Sequence, residues 1–209
     1  MPLRKKTSLI FGACLLLMGC QTTSVTSEPP VIGYVTRTEG FPVVNRNNQE
    51  YILARQSKIY EDDIFDTNKS SKLEISLADN TVISLGLRSH LVLHRFLMKE
   101  NSSSTRLTLT KGALLTKMTR PASLELQTPL AAIRLQEAGV YASFMANRLE
   151  AVMTSPGNMV VSNDDGEAVA SAAGFGTTVI AGSAPQAPLS WTPRRLQRVL
   201  RETTVQSKN

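Results

Sequence analysis

Cysteine, histidine and aromatic residues are scarce in this 209-residue chain, which holds two Cys, two His, one Trp, four Tyr and six Phe. The cysteines are Cys14 and Cys20, so beyond position 20 there is no thiol for a disulfide, a nucleophile or a thiolate metal site. The histidines fall in the run His90-Leu91-Val92-Leu93-His94, which reads as strand. Four apart on a strand they share a face but stand about 13 Å apart, too far to hold one ion. No apolar run reaches the roughly 20 residues of a membrane-spanning helix; the stretch from Leu9 to Met18 stops short. Serine is plentiful, but none stands in a Gly-x-Ser-x-Gly elbow. Glu61-Asp62-Asp63 and Asp164-Asp165-Gly166 lack the spacing of a calcium loop and read as turns. Gly174-Phe175-Gly176 lacks the strand–helix context of a nucleotide site. The sequence therefore predicts no enzyme, no metal and no cofactor chemistry, and a core built from Val, Ile and Leu.

What the chain does have begins at its first residues. Arg4, Lys5 and Lys6 precede the apolar stretch, no acidic residue stands before Glu28, and the stretch ends in Gly19-Cys20. That order predicts a secretory signal peptide over residues 1–19. Leu17-Met18-Gly19-Cys20 resembles the lipobox of bacterial lipoproteins. The resemblance implies a diacylglyceryl group and an N-acyl chain on Cys20 as the only covalent additions. At about 0.8 kcal/mol per buried CH2, several chains make such attachment in effect permanent. Gln21, where Asp would signal retention, implies by resemblance to enterobacterial sorting the outer membrane, facing the periplasm; the inner membrane is the alternative. Loss of residues 1–19 lowers the formal charge from +6 to about +3, so the high pI is a poor argument for nucleic acid as a partner.

Residues 20–30 are polar and end in Pro29-Pro30, the composition of a flexible tether. Over residues 31–182 short runs alternate with period two: Leu73, Ile75 and Leu77 against Lys72, Glu74 and Ser76, or Leu107 and Leu109 against Arg106, Thr108 and Thr110. This predicts a mainly β domain, a rolled or solenoid-like stack of short strands, with a β-sandwich as the alternative. Arg106–Lys111 and Ala113–Met118 read as separate strands around Gly112. Residues 183–190, with Pro185 and Pro188, read as a linker. A helix is predicted over 191–203, with Thr192 as cap, Pro193 at its first position and Leu196, Val199 and Leu200 on one face. Its other flank carries Arg194, Arg195, Arg198 and Arg201. With Trp191 these are the candidate interaction residues, either for anionic lipid or an acidic partner, or as a solvated face behind a docked apolar one. Residues 204–209 read as a loose tail.

Several short segments, in this order, resemble the FecR domain of bacterial envelope proteins: Gly33-Tyr34-Val35 with Gly40-Phe41-Pro42-Val43; Ile59 to Thr67, similar to a G-D-x-I-x-T segment with Glu61 near the usual glycine; Ser71 to Thr81, ending in a D-G-[ST]-like turn with Asn80 for glycine; Leu107 to Gly112; and Thr128-Pro129-Leu130-Ala131. The family's arginine-glycine-threonine triplet is replaced by Gln136-Glu137-Ala138, so no role of that triplet carries over. The resemblance implies a periplasmic binding or scaffold module with an envelope protein or glycan as partner. An accessory component of envelope signalling or secretion, docked on a membrane protein, is the second reading; an envelope glycan- or lipid-processing enzyme is the third.

Overall fold

The computed structural model describes residues 29–119 and 121–206. The expected signal peptide, Cys20, most of the expected tether and the last three residues of the tail lie outside the described residues.

Seventeen strands and one helix form among the described residues, and period-two burial shows why. In β6 (Lys72–Leu77), Leu73, Ile75 and Leu77 are buried while Glu74 and Ser76 between them are not, as on a pleated strand with one face in a core.

The chain winds alternately through two layers. β1 (Gly33–Glu39) starts layer one; β2 (Val43–Arg46) and β3 (Gln49–Ile52) form a hairpin in layer two; β4 (Lys58–Ile59) returns to β1, and β5 (Asp63–Asp66) goes back to β2. The hairpin of β6 and β7 (Val82–Leu85) joins layer one, and β8 (His90–Met98) joins layer two. β9 (Ser103–Lys117) belongs to both: its first part pairs with β8, its last part with β7. The winding then resumes with β10 (Ala122–Gln127) and β11 (Ala132–Gln136) in layer two, and β12 (Val140–Met145) and β13 (Arg148–Met153) in layer one. β14 (Asn158–Asn163) and β15 (Gly166–Ala170) follow in layer two, then β16 (Phe175–Ile180) and β17 (Leu189–Ser190) in layer one.

Pairing orders layer one β4-β1-β6-β7-β9-β12-β13-β16-β17 and layer two β3-β2-β5-β8-β9-β10-β11-β14-β15. β9 and β10 make the one parallel pair among the described residues. The result is an open, rolled sheet rather than a closed barrel, as the alternating short runs predict. One core lies between the layers, with Leu73, Ile83, Leu114 and Leu149 from one side and Phe65, Leu91, Leu107 and Ile133 from the other. Each such side chain contributes about 1.5–3 kcal/mol by its burial.

The bend in β9 explains why the sequence reads it as two strands. Gly112 has φ +87, and a Cβ there would lie 2.3 Å from Ser89 Oγ. Glycine is needed for both the left-handed angle and the close approach. Around it, Ala113 N donates to Ser89 Oγ (3.0 Å), Thr67 Oγ1 donates to the Gly86 carbonyl (2.6 Å) and Ser89 N donates to Thr67 Oγ1 (2.8 Å). Thr67 and Gly112, two residues of the segments that resemble the FecR domain, thus fasten the edge where the chain crosses between layers.

The helix α1 (Pro193–Thr203) has Thr192 as its cap, the hydroxyl accepting from Arg195 N, and Pro193 at the first helical position. At the other end Lys72 Nζ donates to the Arg201 and Thr204 carbonyls, a cation at the negative end of the helix dipole. The tail does not come loose at once: Val205 is buried. The segment expected as a linker runs along β16, where Gln186 N donates to the Thr178 carbonyl.

Candidate functional site

The outward residues of layer one are apolar over three adjacent strands. Ala113 and Leu115 of β9, Tyr141 of β12 and Val152 of β13 form a second buried cluster with Trp191 and Val199, against which Leu196 and Leu200 pack. Gly176 in the next strand leaves room for the indole: a Cβ there would stand 2.8 Å from Trp191 Nε1. Tyr141 and Trp191 meet edge to face at 6.5 Å between ring centroids. The Arg195 guanidinium lies 3.4 Å from the Trp191 ring centroid and bonds Glu150 Oε1 at 2.9 Å, while Arg148 holds the same carboxylate at 2.8 Å. Burial pushes the Tyr141 phenol up to about 12, so it stays a hydrogen-bond donor, 3.3 Å from Glu202 Oε2. Of the candidate interaction residues, Trp191 and Arg195 therefore face inward and hold α1 to the sheet. Arg194, Arg198 and Arg201 are exposed, with Arg198 3.9 Å from Glu202.

Layer two presents a different outer face. Register aligns Leu97 of β8, Ser104 of β9, Ser123 of β10, Gln136 of β11 and Asn158 of β14 in one row across five strands. At about 4.8 Å per strand that row runs about 19 Å. All five side chains are exposed, and no element among the described residues covers them. Along them lies a groove of about 630 Å³, whose rim includes Lys99 and Glu137. Two residues further along each strand, Arg95, Arg106, Glu125 and Arg134 form a second row. Arg106 Nε sits 3.1 Å from Glu125 Oε2; a hydrogen bond from Gln127, then Arg106, hold the Glu125 carboxyl below its ordinary range. Smaller hollows of about 90 and 340 Å³ continue the groove past Arg95 and past Arg134. This face offers neutral donors and acceptors beside cations, of which Arg106 is tied to Glu125 and Arg134 to Ser162.

None of these row residues is legible as a site in the sequence. Each is one polar position of an alternating strand, and only the register brings them together. Both histidines and Asp63 are engaged by neighbouring side chains. His90 Nδ1 pairs with Asp66 at 2.7 Å and His94 Nε2 with Thr108 Oγ1 at 2.9 Å. Asp63 is fully buried and holds Arg46 through both oxygens, at 2.6 and 2.7 Å, while Arg46 stacks 4.2 Å over Tyr60. The left-handed residue before Asp63 is Asp62 (φ 63), one position after the Glu61 expected to stand near the glycine. Asn80 (φ 65) keeps the turn expected of it, with Asp79 Oδ1 accepting from Thr81 N. Glu137, the middle of the altered triplet, also has a glycine-like φ of 57. Among the described residues no three or more His, Cys, Asp or Glu side chains gather where they could hold a metal ion, and no helix is long and apolar enough to cross a membrane.

Residues 63–174, more than half of the chain, match the family described as FecR protein. Two crystal structures of a candidate anti-sigma factor from Parabacteroides distasonis, at 1.65 and 2.50 Å resolution, share the fold. They have TM-scores of 0.52 and 0.53 and 11% and 10% identity over 66% of this chain. The chain spans 64% and 63% of those two proteins, under two thirds of each. No curated protein matches it.

Proposed function

Since the chain belongs to the FecR protein family, we propose that it is a lipid-anchored binding or scaffold module of the bacterial envelope, facing the periplasm and working without catalysis. The anchor is the diacylglyceryl and N-acyl lipid on Cys20, and the outer membrane is its site. The observation that carries the binding role is the uncovered row of Ser104, Ser123, Gln136 and Asn158 with its groove. A polar, unlidded face with fixed arginines suits a protein or glycan partner held by hydrogen bonds. The likeness of the fold to the candidate anti-sigma factor supports envelope signalling as the setting, in which the module docks on a membrane protein.

The test is a pull-down of the lipidated protein from envelope extracts. Ser123→Arg with Gln136→Arg is expected to remove the partner while leaving the fold intact. Retention of the partner by that variant, and its loss on changing the exposed Arg194, Arg198 and Arg201 together to Gln with an unchanged unfolding midpoint, would move the site to the helix. The anchor has its own test: Cys20→Ala is expected to abolish uptake of labelled fatty acid, and uptake by that variant would rule the anchor out.

A further inference from the structure

At the edge where β9 crosses between layers, layer one ends in a row of turns. Residues 86–89 leave β7, the bend at Gly112 follows, and residues 146–147 join β12 to β13. Two large apolar side chains are exposed on this edge: Leu87, in the first turn, is 43% exposed, and Met145, the last residue of β12, 63%. Between them lies a groove of about 420 Å³ whose floor is Gly86, Gly112 and Ala113, on the part of the outer face that α1 leaves open. Lys69, Lys72 and Arg88 line its rim. Lys72 is engaged by the helix carbonyls, but Lys69 and Arg88 are exposed and in no ion pair among the described residues. Exposed Lys111, at the bend, and Arg201, near the helix end, add two more cations near the groove, where Glu202 is the one acid in the lining.

From this we infer that the corner formed by Leu87, Met145, Lys69 and Arg88 is a second membrane contact, one that takes an anionic lipid surface. A protein interface closes over a contiguous apolar patch. Here single apolar side chains project from separate points of the edge, a turn and a strand end, with cations between and beside them, which suits insertion into a fluid interface at headgroup depth. Charge complementarity selects anionic lipid: each Lys or Arg near such a surface adds about a factor of five in affinity. The chain enters the fold at Ile32, which is buried and hydrogen-bonded to Ile59 and Ala78, at the far end of β1. Eleven residues, 21–31, could reach at most about 36 Å, more than the roughly 23 Å of β1, so a chain anchored at Cys20 can still lay this corner on the same bilayer. The inference does not need that anchor, nor the groove on layer two.

The test uses the chain from Pro29 to Asn209, which contains every buried residue described, from Ile32 to Val205, and no cysteine. Co-sedimentation is measured with vesicles of phosphatidylglycerol and phosphatidylethanolamine and with vesicles of phosphatidylcholine alone. Binding to the first and not the second is expected. Lys69→Gln with Arg88→Gln should weaken it at least tenfold, and Leu87→Ser with Met145→Ser should weaken it comparably, both with unchanged unfolding midpoints. A dye on Met145→Cys should shift to the blue only with the anionic vesicles. Absence of vesicle binding, equal binding to both lipids, or full binding by the Lys69/Arg88 variant would each overturn the inference.

Discussion

On the outer face of layer one, Ala113, Leu115, Tyr141 and Val152 stand in neighbouring strands and carry α1; on the outer face of layer two, Ser104, Ser123, Gln136 and Asn158 stand in neighbouring strands and carry nothing among the described residues. Both sets are the outward half of the same period-two pattern, and both lie over one core. An outward apolar set exposes a patch that water penalises, so the chain must spend a segment to cover it. An outward polar set is stable bare and stays free for another molecule. The first face is therefore a stability element and the second a surface whose residues are free to serve recognition.

Five substitutions sharpen or break that contrast, from the largest effect down. Trp191→Ala empties the centre of the helix-bearing face and is expected to cost about 3–5 kcal/mol in denaturant unfolding; a loss under about 1 kcal/mol would mean that α1 is not integral to the fold. Tyr141→Phe tests the same face by pH. The folded phenol, at about 12, keeps its proton where the unfolded one, near 10, has lost it. Its contribution is full below about pH 10 and falls as pH rises toward about 12, by up to roughly 2–3 kcal/mol. The Phe variant should lose that part of the alkaline decline, read as unfolding midpoint against pH. Glu137→Gly, beside the bare face, relieves a left-handed angle and should raise stability by about 1 kcal/mol; a decrease would show that the carboxylate makes a compensating contact. Ser123→Ala and Gln136→Ala should each change stability by less than about 0.5 kcal/mol, since nothing packs on them, while weakening partner capture. Larger losses would make the second face structural as well.

The sequence-based expectations divide along the same line. The mainly β roll, the terminal helix and the Asn80 turn are legible because each rests on a local pattern: alternation, a Thr-Pro cap, a residue tolerant of left-handed angles. β3 is missed because all four of its residues are exposed and carry no alternation. β9 is divided because Gly112 reads as a break, although the bend it permits keeps one strand in two layers. The candidate interaction residues were chosen by charge, but charge alone does not separate Arg195, stacked on Trp191 and bonded to Glu150, from Arg194 beside it. The row on layer two is invisible from sequence because it is a property of register between strands far apart in the chain, as with Ser104 and Asn158.

β9 has a consequence for how this roll is reached in time. It hydrogen-bonds to β7 and β12 in one layer and to β8 and β10 in the other. The windings before it and after it have no strand pairing with each other except through it, so neither half can complete its sheets alone. Folding should therefore pass one shared late step, the seating of residues 103–117, with the slow closure expected of contacts so far apart in sequence. Leu109→Ala, in the buried centre of that strand, is expected to slow refolding more than it speeds unfolding, as a residue in the rate-limiting structure does.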